Sequence, residues 1–418
     1  MPFSFTTALS GLRASSDSLG VSGNNIANAN TTAFKTSSIT FADIFNNSLG
    51  VRLNGGGATM QIGSGVQTAA IPTDYSQGNL NDSSSSTAAA IQGTGFFVVR
   101  DKAGAQVYTR AGDFSIDRNG FLVTPDGSQV QGYAAVGLEI PPGGALTSIR
   151  IPIGETTPPF ATTQVTLKMN LNSSDTNGVT FHAPVQVFDS KGVSHTLDMT
   201  FTKQLNGTYQ IAASLDGNVA AVDAGLDPTA LVFDSNGQLT GPANLSIIPD
   251  QTALNGATLP SVSLNLFETN PDGSQGTANI TNFSAASAVA SIRQDGFAAG
   301  SLTGLSVSGD QDGVISAVFS NGQVRPIAQL ALATFNSQDG LTHLGGNKFA
   351  ETPASGQPSI GAAGSGGRGL VIGNALEQSN VDLASEFTDL IVAQRSFQAN
   401  SRVISTISQT LQDLIQNV

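Results

Sequence analysis

The sequence predicts a mainly β protein with terminal α-helices: nested β domains, bracketed by an N-/C-terminal α-helical coiled-coil pair. Apolar residues recur at intervals of seven at both ends of the chain. Between those ends, short apolar–polar alternations are punctuated by NG, DG and AG turns. A boundary rich in Pro and Gly at residues 140–159 then separates one stretch of β text from another.

The C-terminal helix carries the clearest signal. Leu383, Leu390, Phe397, Ile404, Leu411 and Val418 fall on one line, and Phe387, Ile391, Ala393, Ile407, Leu414 and Ile415 widen it into a stripe. Ser379 followed by Asp382 reads as a capping box, and Asp382 with Glu386 places negative charge where the helix dipole favours it. No Pro or Gly interrupts residues 380–418, so a single rod of roughly 58 Å is expected at 1.5 Å per residue. Gln394, Ser401 and Ser408 spoil the seam of a two-stranded zipper, which points to contacts shared among many neighbours.

At the other end, Phe5, Leu12, Leu19 and Ile26 also recur at sevens, with Ala8 and Leu9 beside them. Gly20 and Gly23 weaken the second half of this helix by about 1 kcal/mol each relative to Ala. The apolar side chains of the two ends are too few to offset the entropy of ordering them. Both ends are therefore expected to be disordered in a lone molecule and to order when many copies pack.

After the first helix, residues 22–41 are rich in Asn and Thr, which favour caps and turns. Residues 46–90 read as an extended linker with some strand. Strand candidates follow at Phe96–Val99, Val107–Arg110, Phe114–Ile116, Phe121–Thr124 and Val130–Ala135. Strict alternation then marks a second β module: Val165 to Leu171, Val179 to Val187, and Val193 to Phe201, the last two joined by the turn DSKG at 189–192. The predicted domains are a terminal helical domain (1–30 with 375–418), a connecting region (31–87 with 356–374), a first, discontinuous β domain (88–145 with 284–355), and an inserted second β domain (146–283).

Chemistry is conspicuously sparse. Charged residues are 11% of 418, yet the net charge is −13 with no basic run, which argues against a nucleic-acid partner. Without Cys there are no disulfides, thiolate metal sites or cysteine nucleophiles. No stretch approaches the length of a membrane span, and MPFSFTTALSGLR lacks the features of a cleaved secretory signal. His182, His195 and His343 are far apart, and the first two read as ordinary strand residues. Asp117–Gly120 and Asp310–Gly313 begin like calcium loops but lack the bidentate Glu, so hairpin turns are the better reading. No phosphate loop, GxSxG or HExxH occurs. No catalytic residue, cofactor or metal is expected.

The segment SGNNIANANTTAFK (22–35) resembles the N-terminal signature of the flagellar rod/hook axial protein family, with Asn24, Asn25, Asn28, Asn30, Thr31, Phe34 and Lys35 at its motif positions. SNVDLASEFTDLIVAQRSFQANSRVISTISQTLQDLIQ (379–416) resembles the C-terminal signature of the same family, and GTGFFVV…YTRAGDFSIDRNGFLVTPDG its outer β domain. Ala33 stands where relatives often carry Gly. The inserted module, with VQVFDSKGVSHTLDMTF, resembles the hook branch in particular. That resemblance implies a non-enzymatic subunit polymerising helically into a flexible hollow tube, a universal joint that transmits motor torque to the filament. A distal rod or hook-associated axial protein is the alternative. The implied partners are copies of itself, the rod, hook-cap and hook–filament junction proteins, and the type III export apparatus, with no membrane insertion. The implied location is extracellular, in the hook and basal body, reached without a cleaved signal. Phe5, Leu9, Leu12, Leu19, Ile26, Leu383, Phe387, Leu390, Phe397, Ile404, Leu411, Leu414 and Val418 are the expected assembly contacts. A secreted β-domain adhesin or enzyme with coiled-coil ends is the competing class; it would be a stable monomer with its ends already ordered.

Overall fold

The computed structural model describes residues 2–49, 60–137, 139–141, 143–223, 230–270, 274–307 and 311–416. It is mostly β, with one long helix near each end of the chain. The chain divides into two compact units. The first is Met1–Ile153, Gly304–Val318 and Val324–Val418; the second is Gly154–Thr303 with Phe319–Gln323.

In the first unit, α1 (Pro2–Ala27) and α2 (Leu383–Gln416) run antiparallel: Gly11 meets Asn400, and Asn25 meets Glu386. At 34 residues α2 is about 51 Å long. Its N-cap is Asp382, whose Oδ1 accepts from the amides of Ala384 (2.9 Å) and Ser385 (3.4 Å). Ser379, the expected cap, lies before the helix and accepts only from Val381 N at 3.4 Å. The capping carboxylate thus comes one turn later than the Ser–Asp spacing suggests. Gly20 and Gly23 do not end α1, and a Cβ at either would meet open space.

The stretch expected as linker contains a long hairpin. Strands β1 (Thr40–Leu49) and β2 (Met60–Ala70) pair antiparallel, Thr40 opposite Ala70 and Leu49 opposite Met60. The hairpin lies along α1, where Ser10 Oγ accepts from Val66 N (3.2 Å) and Thr68 Oγ1 donates to Asp17 Oδ2 (2.9 Å). Gly65 allows this approach. Its φ is +116°, and a Cβ there would sit 2.1 Å from Ser10 Oγ.

The sheet of this unit takes strands from both sides of the insertion, in the order Val324–Thr334, Gln129–Ala134, Phe96–Arg100, Gln106–Thr109, Lys348–Ala350, Thr342–Gly345. The run Phe96–Val99 is buried on both faces, as unbroken hydrophobicity in a strand implies. Phe96 packs against Phe349, Phe335 and Tyr75, while Phe97 meets Phe114 edge-on at 5.0 Å. Asp117 begins the expected turn: its Oδ1 accepts from Asn119 N and Phe121 N, both at 2.8 Å.

The second unit follows the alternation closely. Its strands run Thr180–Phe188, Ser194–Lys203, Tyr209–Leu215, Asn218–Asp223, Asn244–Ile248, Val262–Asn265 and Gln164–Asn170, with Ala288–Gln294 paired to the last. Inward positions Val165, Leu167, Met169, Val185, Leu197, Met199, Phe201 and Ile211 are all buried in one apolar core. The DSKG turn forms as expected, with Asp189 Oδ1 accepting from Lys191 N and Val193 N.

Candidate assembly interface

The face α1 turns toward α2 is made of small residues. Ala8, Ala14, Ser15, Ser22 and Asn25 are buried there, against Ala393 of α2. A Cβ on Gly11 would lie 2.8 Å from Asn400 Nδ2, so the helices are held close because position 11 has no side chain. On α2 the line facing α1 is Glu386, Ala393, Asn400, itself spaced at sevens but displaced from the line of large residues.

The large apolar residues are therefore not consumed by the partner helix. Phe5 is 42% exposed, Leu383 44%, Phe387 51% and Leu411 41%. Leu9, Leu12, Leu19, Ile26, Leu390, Phe397 and Ile404 are half-buried. The Leu414 side chain and Val418 lie outside the described residues. Ile391, Val392 and Val403 add to the uncovered surface of α2; Val392 and Val403 fall off the seven-residue line that sequence periodicity picks out. A single chain thus leaves Leu383, Phe387 and Ile391, four residues apart along one face of α2, in water, which is the mark of an unfilled contact.

Where the helices join the β structure, distant parts of the chain are tied by polar bonds. Asn25 Nδ2 donates to Ser37 O (2.8 Å) and Glu386 Oε1 (2.9 Å), while its Oδ1 accepts from Ser37 N. One side chain so links α1, α2 and the segment between α1 and the hairpin. Asn380 Oδ1 accepts from Thr36 N (2.8 Å) and Thr36 Oγ1 (2.7 Å), and its amide donates to Asp74 O (2.9 Å).

Beneath them lies a buried ion cluster. Lys35 Nζ is 2.7 Å from Glu377 Oε1, and Arg110 Nε is 2.7 Å from Glu377 Oε2. Gly78 N also donates to Oε1, and Arg110 further donates to the carbonyls of Gly95, Ile91 and Gly93. All three side chains are at most 5% exposed. Burial pulls the Lys35 ammonium below its ordinary pKa, and the bond to Glu377 offsets part of that pull. The backbone joins in, with Ala33 N donating to Glu377 O at 2.8 Å. Ala33 is buried and left-handed (φ +56°), which explains physically why Gly suits this position.

Of the other motif residues, Asn24, Asn28 and Thr31 bond one another at the end of α1. Asn30 is exposed and Phe34 half-buried. Sequence alone indicates neither Glu377 nor Arg110, because each finds its partner hundreds of residues away. Among the described residues no group of three or more His, Asp or Glu could hold a metal ion.

The architecture thus pairs one helix near each end of the sequence and sets the β strands between them in chain order. Family models match along the chain: flagella basal body rod protein at 5–35, flagellar hook protein FlgE/F/G D1 domain at 90–166, flagellar basal body protein FlaE D2 domain at 155–297, and flagellar basal body rod FlgEFG protein C-terminal at 372–417. The flagellar hook protein FlgE of Treponema pallidum is 34% identical over 99% of this chain and 98% of its own length. Those of Salmonella typhimurium (33%; 99% of each) and Escherichia coli (34%; 98% and 99%) are similar throughout. The crystal structure of Helicobacter pylori flagellar hook protein FlgE2 shares the fold, with a TM-score of 0.52 and 17% identity over 71% of this chain and all of that one. The chain belongs to the flagellar hook protein FlgE family.

Proposed function

We propose that this chain is the structural subunit of the hook, polymerising into a flexible hollow tube that transmits torque from motor to filament. The observation that carries this reading is the apolar stripe of α2, which antiparallel pairing with α1 leaves uncovered. Contacts between unlike surfaces that do not close into a ring extend into a helical tube, and the stripe supplies one of those surfaces. Phe5, Leu9, Leu12, Leu19 and Ile26 of α1, with Leu383, Phe387, Leu390, Phe397, Ile404, Leu411, Leu414 and Val418, form the contacts between copies. The junction around Asn25, Lys35 and Glu377 carries load from that tube to the β structure.

In this reading the chain leaves the cell through the type III apparatus without a cleaved signal. It meets the rod at one end of the tube, and the cap and the filament junction at the other. Deleting residues 380–418 tests the assembly role: the full chain forms curved tubes by electron microscopy, and the truncated chain forms none. Tubes from the truncated chain would overturn it, whereas straight tubes from the full chain would move the protein to the distal rod.

A further inference from the structure

The sheet of the second unit has two ends. One is Thr180–Phe188, which pairs with Ser194–Lys203 without a bulge, from Thr180 opposite Thr202 to Phe188 opposite Ser194. On its other side, Phe188 N donates to Thr162 Oγ1 and Phe188 O accepts from Thr162 N, both at 2.9 Å. Backbone groups of an antiparallel strand alternate in direction, so those of Thr180, His182, Pro184 and Gln186 point the way Phe188 does, away from the partner strand. Val179, of the opposite parity, accepts from Lys203 N and fixes the same phase. Among the described residues no strand pairs with this outward side.

The other end is Ala288–Gln294, bonded to Gln164–Asn170. Thr162 reaches this end too, donating to Gln294 Oε1 (3.2 Å). Beyond that bolt no pairing joins the two ends among the described residues. Ile292 stands opposite Leu167 and shares its inward face, yet Ile292 is 41% exposed while Leu167 is fully buried. The seam is open.

An edge of nine residues in regular register, about 30 Å long, is a template for adding another strand. Pro184 sits in the middle of the outward positions. Thr180, His182 and Gln186 each offer an amide proton there, and Pro184 offers none. The opposite edge is broken by other means. A bulge between Lys168 and Met169 leaves Ala290 without an opposite residue, and exposed Arg293 sets a charge nearby.

We propose that Pro184 is a guard: it stops the second units of adjacent copies from joining edge to edge into one continuous sheet, so that they stay separable in a tube that bends. This rests on the assembly reading above and adds to it a surface from which a second copy is kept off. In a polymer, identical edges are held close together at high effective concentration. A ladder of backbone bonds between them would lock neighbours whose spacing has to change as the tube flexes.

The test uses the full-length chain. Pro184→Thr restores the missing amide without adding a large apolar surface. Its tubes are expected to be straight or fused side by side in electron micrographs. The fraction that sediments before tubes form should rise roughly threefold or more, the effect of one added hydrogen bond. Gln186→Thr, on the same face with its amide unchanged, should behave like the unmodified chain. In the double variant P184T/Q186P the proline moves to the next outward position, and separate curved tubes should return. Misfolding of P184T does not escape the test, since only a guard predicts that rescue. P184T tubes that stay separate and curved would overturn the proposal, as would a double variant no better than P184T. A P184T chain that melts higher and assembles normally would overturn it too, because the proline would then only hold open the seam of its own chain. If the unmodified chain forms no tubes the hook assignment falls, and the sedimentation ratios still decide the guard; if it forms tubes and P184T matches it, only the guard falls.

Discussion

The second unit and the terminal helix pair are held together by opposite means. The second unit buries inward Val, Leu, Met and Phe side chains from consecutive strands in a core that needs nothing from outside. The helix pair meets through Ala, Gly and Ser, leaves Phe5, Leu383, Phe387, Ile391 and Leu411 exposed, and is fastened to the β structure by amide and carboxylate bonds. One region is finished within a single chain, and the other presents what a neighbour must complete.

The sharpest way to break this contrast is Glu377→Ala. It leaves Lys35 and Arg110 buried without their shared anion, and loss of one partner of a buried ion group costs about 3–5 kcal/mol. Hydrogen exchange resolved by segment should show residues 25–40 and 375–385 losing protection while strands 180–215 keep theirs. Equal loss in both would erase the distinction.

A smaller effect probes the second unit. His195 Nδ1 is 2.6 Å from Asp216 Oδ2 and its Nε2 is 3.2 Å from Asp189 Oδ2, so both ring nitrogens face carboxylates. Burial pulls the imidazole pKa down, but the bonds to Asp216 and Asp189 outweigh it and the net shift is upward. Burial likewise opposes the carboxylates, yet amide bonds and His195 hold both below their usual range. The histidine's stabilisation is full below its unfolded pKa of about 6.5 and is lost as pH rises through its raised folded value. The aspartates' contribution is present above about 3.9 and is lost as pH falls through their lowered values. His195→Gln should remove the alkaline-side loss of stability. It costs roughly 1.5 kcal/mol at acidic pH, the low end for charged hydrogen bonds because Asp216 is 44% exposed. A melting temperature with the same pH profile as the unmodified chain would refute this.

The smallest effect sharpens the helix side. Gly20→Ala meets no obstruction and should stabilise α1 by up to about 1 kcal/mol, seen as slower exchange of its second half. No change in exchange would mean that contacts, not backbone entropy, fix that half.

What the sequence revealed follows the same division. Alternation from Val165 to Ile211 could be read directly, since a strand with one buried face writes its burial into neighbouring positions. The two helices were visible for the same local reason. Their pairing was expected, but the face it uses was not, because Gly11 and Ser15 carry no hydrophobic signal and the line of large residues draws attention away from Glu386, Ala393 and Asn400. The hairpin at 40–70 hides in Gly-, Ser- and Asn-rich text whose register is set by α1. His195 occupies an inward register and reads as an ordinary strand residue until Asp189 and Asp216 arrive from two turns.

Lys35 and Glu377 stand 342 residues apart, near opposite ends of the chain. A polypeptide emerging from its N-terminus delivers the ammonium early and its counter-charge almost last. Until then Lys35 lacks the carboxylate that meets its ammonium at 2.7 Å, so the fastening cannot set on a fragment that ends before Glu377. Arrival of the final tenth of the molecule is the signal that lets its beginning take its place.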